Sequence, residues 1–382
     1  MAYHRIALLF GLAFLLNAIA PDVLARFQAL AETEFLLATS LWCVGLIFFF
    51  GWAASEAAES TLLPNFAIQL LLGIVLHDAF APLAAQPSVC VVLCTAMAAI
   101  ILKSGGDEIE LKAFRQIAWP SVLIAFVGYL LTFFVMFAVL QALGMESTLA
   151  ALVAAIVGST DPAALIPTLQ RLTFKDEYQR VSDLAISESA INDAVGAIFT
   201  GATCALIVSG ATLNSALDLA KGLLNPTTLT LLANEVGFGL LAGVVGWLSM
   251  RMLEPVLQRL DFKIESIAKP AIFMMVGPFV SLNQLVDTAG WGLVAAFVLM
   301  FLARPIAVWF SLLPSNISNT EKLFLCVVRE TGVIPVVLAV IVSAQFPQMV
   351  VLLPVVAWVV IGTLVLLPAI TPWWTRKLQM NR

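Results

Sequence analysis

Apolar runs of about 17–25 residues recur from one end of the chain to the other, with no block of domain length between them. A run of that length crosses the hydrocarbon core of a bilayer as a helix, which satisfies its own backbone polar groups where no water can. The expected fold class is therefore an all-α polytopic membrane protein, with residues 1–382 forming one transmembrane domain. Composition agrees: 61% of residues are hydrophobic and 11% charged, against roughly 45–50% and 25% in soluble domains. The net charge of −5 says little about partners in such a chain, and no basic patch suggests nucleic acid. Cys43, Cys90, Cys94, Cys204 and Cys326 all lie in apolar segments without CxxC spacing, and only two histidines, His4 and His77, are present. Neither a disulfide framework nor a cofactor-type metal centre is expected.

Twelve helices are expected, beginning near residues 5, 35, 62, 87, 116, 147, 181, 227, 266, 289, 320 and 349. Sixteen of the nineteen Lys and Arg residues fall in tails, connections or segment edges, and fourteen of those lie on one side. By the positive-inside rule this places both termini in the cytoplasm. Lys269, Arg304 and Arg329 fall within segments. Residues 1–25 read as an extra first helix, and their basic start, apolar core and small residues also fit a signal peptide. The eighth segment carries Gly237, Gly239, Gly243 and Gly246, a small-residue pattern expected to serve close helix packing, with a dimer interface as the weaker reading. The stretch GATLNSALDLAKGLLNP before it is mildly amphipathic and fits the membrane surface.

One segment, LAALVAAIVGSTDPAALIPTL, contains an aspartate beside a proline. Gly158 adds flexibility and Pro162 removes a backbone donor, so the helix is expected to unwind at Asp161. Irregular backbone at membrane depth is tolerated only where protein buries it or water reaches it. Broken helices of this kind supply free carbonyls and half-helix ends, which transporters use to hold ions near the midplane.

The next segment reads ISESAINDAVGAIFT. Ser189 and Asp193 are four apart, as are Glu188 and Asn192, so the four polar side chains share one helix face. A third polar element, VVRETGVIP, places Arg329 and Glu330 inside the eleventh segment. Arg329 stays charged when buried and is expected to pair with Glu188 or Glu330. Lys269, near a helix end, can snorkel away. Asp161, Glu188, Asp193 and Glu330 then outnumber the bases. At about 2.5–3.5 kcal/mol per mid-membrane charge, such a surplus calls for a bound cation, a bound proton or a hydrogen-bond network. Hard oxygen ligands from Asp161, Asp193, Ser189 and the backbone near Thr160 suit a small monovalent cation. A carboxylate cannot fully hold a cation and a proton at once, so the two compete.

The order TDP in one helix, ESAIND in the next and an arginine-centred helix near the C-terminus resembles the monovalent cation/proton antiporters, in particular NhaP-type bacterial sodium/proton antiporters. LLPNFAIQLLLGIVL, ILKSGGDEIELKAF and ARPIAVWF resemble further elements of that family. The resemblance implies a fold with inverted repeats and broken helices crossing near the ion site, and a homodimer. It implies a secondary antiporter, not an enzyme, that exchanges Na+ or Li+ for H+ with no cofactor besides the transported ions. Asp161 and Asp193 would bind the cation and exchange the proton, with Ser189 and Thr160 as ligands. Glu188, Asn192, Arg329, Glu108 and Glu330 would form the supporting network, Glu108 as an outer contributor. Asn192 before Asp193 is the family's mark of electroneutral one-for-one exchange. The chain departs from the family at Glu330, where glycine is common, and in its short interval between the ND and arginine helices. Potassium/proton exchange or potassium efflux is the near alternative; an intramembrane aspartyl protease is a distant one, since its GxGD signature is absent.

Overall fold

The computed structural model describes residues 2–59, 61, 63–107, 109, 111–259 and 264–380, and the regular elements among them are helical. α1 (Ala2–Phe27) packs on α2 (Glu32–Ala58). α3 (Asn65–Val75) turns through 77° into a short segment ending in α4 (Ala81–Ala84). α5 (Pro87–Asp107) comes next, then α6 (Leu111–Leu123) and α7 (Tyr129–Ala142), which run together through a π-helical turn at Ile124–Gly128. α8 (Ser147–Val157) and α9 (Pro162–Gln170) are two halves bent by 48°, and α10 (Gln179–Val208) is long and unbroken. After α11 (Ala216–Leu223) and α12 (Pro226–Arg259) come α13 (Ile264–Met274), α14 (Leu282–Asp287), α15 (Ala289–Val298) and α16 (Arg304–Ser311). A second π turn, Leu299–Ala303, joins the last two. α17 (Asn319–Leu325) and α18 (Val333–Gln345) flank an unwound stretch, and α19 (Leu352–Lys377) closes the chain.

Among the described residues, eight helices are long and apolar enough to cross a membrane, or up to ten if each bent pair is one span. The expected count of twelve is not reached by that measure, because the segments expected near 266 and 320 are interrupted. Their apolar helices, Ile267–Phe279 and Val333–Gln345, are too short. All five cysteines are free thiols, four of them buried.

Broken helices meet in two places. In the first, α3 approaches the end of α13 so closely that a Cβ on Gly73 would lie 2.6 Å from the Met274 carbonyl oxygen. His77 Nδ1–H donates to the Gly277 carbonyl across this contact at 2.7 Å. In the second, the α8–α9 break crosses the unwound stretch between α17 and α18, and the candidate site sits there.

α11 carries the amphipathic stretch: Ser215 caps it, Leu219 and Leu223 are buried, and Leu217 is exposed. On α12, Gly237, Gly239, Gly243 and Gly246 have no neighbouring atom within 4 Å of where a Cβ would stand. Close packing within the chain is therefore not what these glycines do; they lie on a face that no other described helix covers.

Candidate cation site at two crossed helix breaks

Pro162 opens α9, where its missing N–H costs nothing, and Asp161 caps that helix by accepting from Ala163 N at 2.8 Å. Its second oxygen accepts from Val333 N, the first residue of α18, at 2.6 Å. The Asp161 amide in turn donates to the Glu330 carbonyl at 3.0 Å. One carboxylate thus ties together both breaks and faces two half-helix N-termini, whose partial positive charge favours an anion. The opposite polarity is handled by Arg329, whose Nη2 donates to the carbonyls of Val157, at 3.2 Å, and Gly158 at the C-terminal end of α8.

Small residues make these approaches feasible. A Cβ on Gly332 would lie 2.7 Å from both Cβ and Cγ of Asp161. Gly332→Ala must therefore shift Asp161, at an overpacking cost of about 1–3 kcal/mol. Exchange in proteoliposomes should fall by about tenfold or more; unchanged flux would mean the position of Asp161 is unimportant. On the other side of the break, Tyr129 donates from its hydroxyl to the Ala155 carbonyl at 2.7 Å and lays its ring where a Gly158 side chain would stand. A Cβ on Gly196 would lie 2.8 Å from Ser159 Cβ, so α10 rests directly on the broken segment.

α10 delivers Glu188, Ser189, Asn192 and Asp193, all buried. Asn192 Nδ2 reaches the Gly158 carbonyl at 3.5 Å and Thr160 Oγ1 at 3.4 Å. Asp193 is 1% exposed, within electrostatic reach of Asp161, and its Oδ1 has no hydrogen-bond partner. Ser189 is buried one turn earlier on α10, and Thr160 is buried in the break between α8 and α9.

The structure differs from the sequence reading on the arginines. Glu188 pairs with Arg304, not Arg329: Nη2 donates to Oε2 at 2.8 Å and Nη1 to Oε1. Arg304 also donates from Nε to the Leu325 carbonyl at 2.9 Å and from Nη2 to the Val328 carbonyl at 3.3 Å. It therefore fastens α16, α10 and the unwound stretch to one another. Its role was readable in principle, since an arginine inside an apolar run requires an anion. The π turn directly before Arg304 adds a residue to the helical ladder and so resets the direction in which α16 presents its side chains.

Glu330, expected as an alternative partner for Arg329, is fully buried, and neither oxygen makes a hydrogen bond. Lys269 is half-buried and acts electrostatically on Asp161. Glu108 lies outside the described residues.

Chemically, the region offers carboxylate, hydroxyl and carbonyl oxygens with no thiol or imidazole among them. Hard monovalent cations fit such donors. Among the described residues, no three His, Cys, Asp or Glu side chains group closely enough to hold a metal ion on their own.

The sequence profile described as "Sodium/hydrogen exchanger, transmembrane" matches residues 44–263 and 251–377. The chain is 28% identical over 298 residues to the K(+)/H(+) antiporter NhaP2 of Shewanella oneidensis, covering 66% of this chain and 50% of that protein. It thus spans about half the length of that relative. To Na(+)/H(+) antiporter 1 of Methanocaldococcus jannaschii it is 24% identical over 356 residues, covering 79% and 83%. The solved structure of the sodium proton antiporter MjNhaP1 from that organism, at pH 8, has the same fold, with a TM-score of 0.67 at 20% identity over 89% of this chain and 100% of that one. With the profile covering most of its length, the chain belongs to the sodium/hydrogen exchanger family.

Proposed function

We propose that the protein is a secondary antiporter that exchanges Na+ or Li+ for H+, one for one and without net charge movement. The observation that supports this most is the buried pair of Asp161, at the crossed helix breaks, and Asp193, on the unbroken α10 packed against them, with Asp193 Oδ1 left without a partner. Asp161 spends one lone pair of each oxygen on a helix N-terminus, which leaves about half of its acceptor capacity free. A cation held between the two carboxylates, with Ser189 and Thr160 adding oxygens, would satisfy both. A proton would satisfy them in another way, and the two guests exclude each other. If the loaded region opens to one face of the membrane and then to the other, this exclusion alone couples the two flows. Glu188 with Arg304, Asn192 and Arg329 hold the crossing in shape and carry no ion.

Potassium is the second reading, favoured by the name of the NhaP2 relative. A panel of Na+, Li+ and K+ gradients across proteoliposomes, read with a pH-sensitive dye, separates the two. The proposed stoichiometry requires the dye response to be the same with and without a potassium–valinomycin clamp; dependence on the clamp would mean that charge moves. We further propose residence in the inner membrane with both termini cytoplasmic. A homodimer would use the uncovered glycine face of α12, and light scattering of the detergent-solubilised protein checks it.

A further inference from the structure

Glu330 is a carboxylate that the proposed exchange does not use. It is 0% exposed, and no donor meets either of its oxygens in good hydrogen-bond geometry, the Thr168 hydroxyl acting on it more weakly. The nearby positive charges are committed elsewhere. Arg304 acts on it but is forked onto Glu188. Arg329, its neighbour in sequence, points away to Gly158. Lys269 acts on Asp161. The other side chains acting on Glu330 are the Thr168 hydroxyl of α9 and the like-charged Asp161 carboxylate. Thr168 lines a cavity of about 260 Å³ bounded by α2, α3, α9 and α19, where Ser55 and Asn65 add oxygens and the exposed Glu59 and Arg171 stand at the rim. By the distribution of basic residues, this cavity faces the cytoplasm.

An isolated ionised carboxylate in such a place is strongly unfavourable unless a counter-charge joins it. We infer that Glu330 and Thr168 form a second binding site for a monovalent cation, filled from this cavity and separate from the site at Asp161 and Asp193. Glu330 supplies the charge and two hard oxygens, Thr168 one hydroxyl oxygen, and cavity water the remaining ligands. The backbone link from Asp161 N to the Glu330 carbonyl sets the second site beside the first, with the two carboxylates in electrostatic reach of each other. This inference rests on the antiport reading for the identity of the ion.

Equilibrium binding of radiolabelled Na+ and of Rb+ to the purified full-length chain tests it. Wild type should bind two ions per chain, Asp193→Asn one, Glu330→Gln one, and the double variant none. Thr168→Val should weaken the Glu330-dependent ion by about tenfold and leave the other unchanged. If Glu330→Gln does not change the count, the second site is wrong and the carboxyl holds a proton instead. If Asp193→Asn does not change it, the antiport reading itself fails. Thermal unfolding of each variant separates lost binding from lost folding.

Discussion

Asp193→Asn is expected to abolish cation-driven proton movement in proteoliposomes while leaving the protein folded. Asn keeps the shape of the side chain but loses the charge. Because Asp193 Oδ1 has no hydrogen-bond partner, no scaffold contact made by that atom is broken. Losing one member of a buried charge arrangement is worth about 3–5 kcal/mol, or on the order of 10²–10⁴-fold in ion affinity. Asp161→Asn should abolish exchange as well, but with a second consequence. Its two oxygens accept from Ala163 N and Val333 N, and an amide presents only one oxygen. One helix N-terminus would face an NH2 group, so the thermal midpoint of Asp161→Asn should fall below that of Asp193→Asn. Retained exchange in either variant would remove the site, and equal midpoints would remove the bridging role of Asp161.

The largest expected effect on stability is at Arg304. Arg304→Ala leaves Glu188 buried without its partner and frees the carbonyls of Leu325 and Val328. Stranding one partner of a buried ion pair costs about 3–5 kcal/mol, whereas replacing both with apolar residues is often close to neutral. Thermal unfolding in detergent should therefore rank Arg304→Ala well below wild type, with Glu188→Leu/Arg304→Met recovering much of the loss. Arg329→Ala should cost less, because Arg329 is bound to carbonyls and strands no carboxylate. If the double variant is no better than Arg304→Ala, the Glu188–Arg304 pair is not what holds α10 to the unwound stretch.

Much of the fold and the site is legible in the sequence, for reasons that differ between residues. The break at Asp161 stems from Gly158 and Pro162, since both act on their own backbone and need no tertiary information. The shared face of Ser189, Asn192 and Asp193 comes from helical spacing alone. The unwinding at 326–332 carries a weaker signal, because the stretch has Gly332 but no proline until Pro335. It becomes visible only when Asp161 is seen to cap α18. Arginine pairing is where sequence and structure part. Sequence proximity makes Arg329 the natural partner of the acids, but which carboxylate an arginine reaches is decided by helix crossing. That crossing brings Arg304 to Glu188, 116 positions away. The glycines of α12 differ for a related reason, since a small-residue stripe specifies a smooth face but not the surface that covers it.

The claim on which the rest depends is that one cation and one proton exclude each other at Asp161 and Asp193. The most direct measurement is the apparent affinity for Na+ and for K+ in reconstituted protein across a series of pH values. By linkage, where the site is mostly protonated, each unit of falling pH should weaken apparent affinity for the transported cation about tenfold, with the maximal rate at saturating cation little changed. An affinity that stays constant across pH, with only the maximal rate varying, would mean that the two ions occupy different places and would contradict the mechanism.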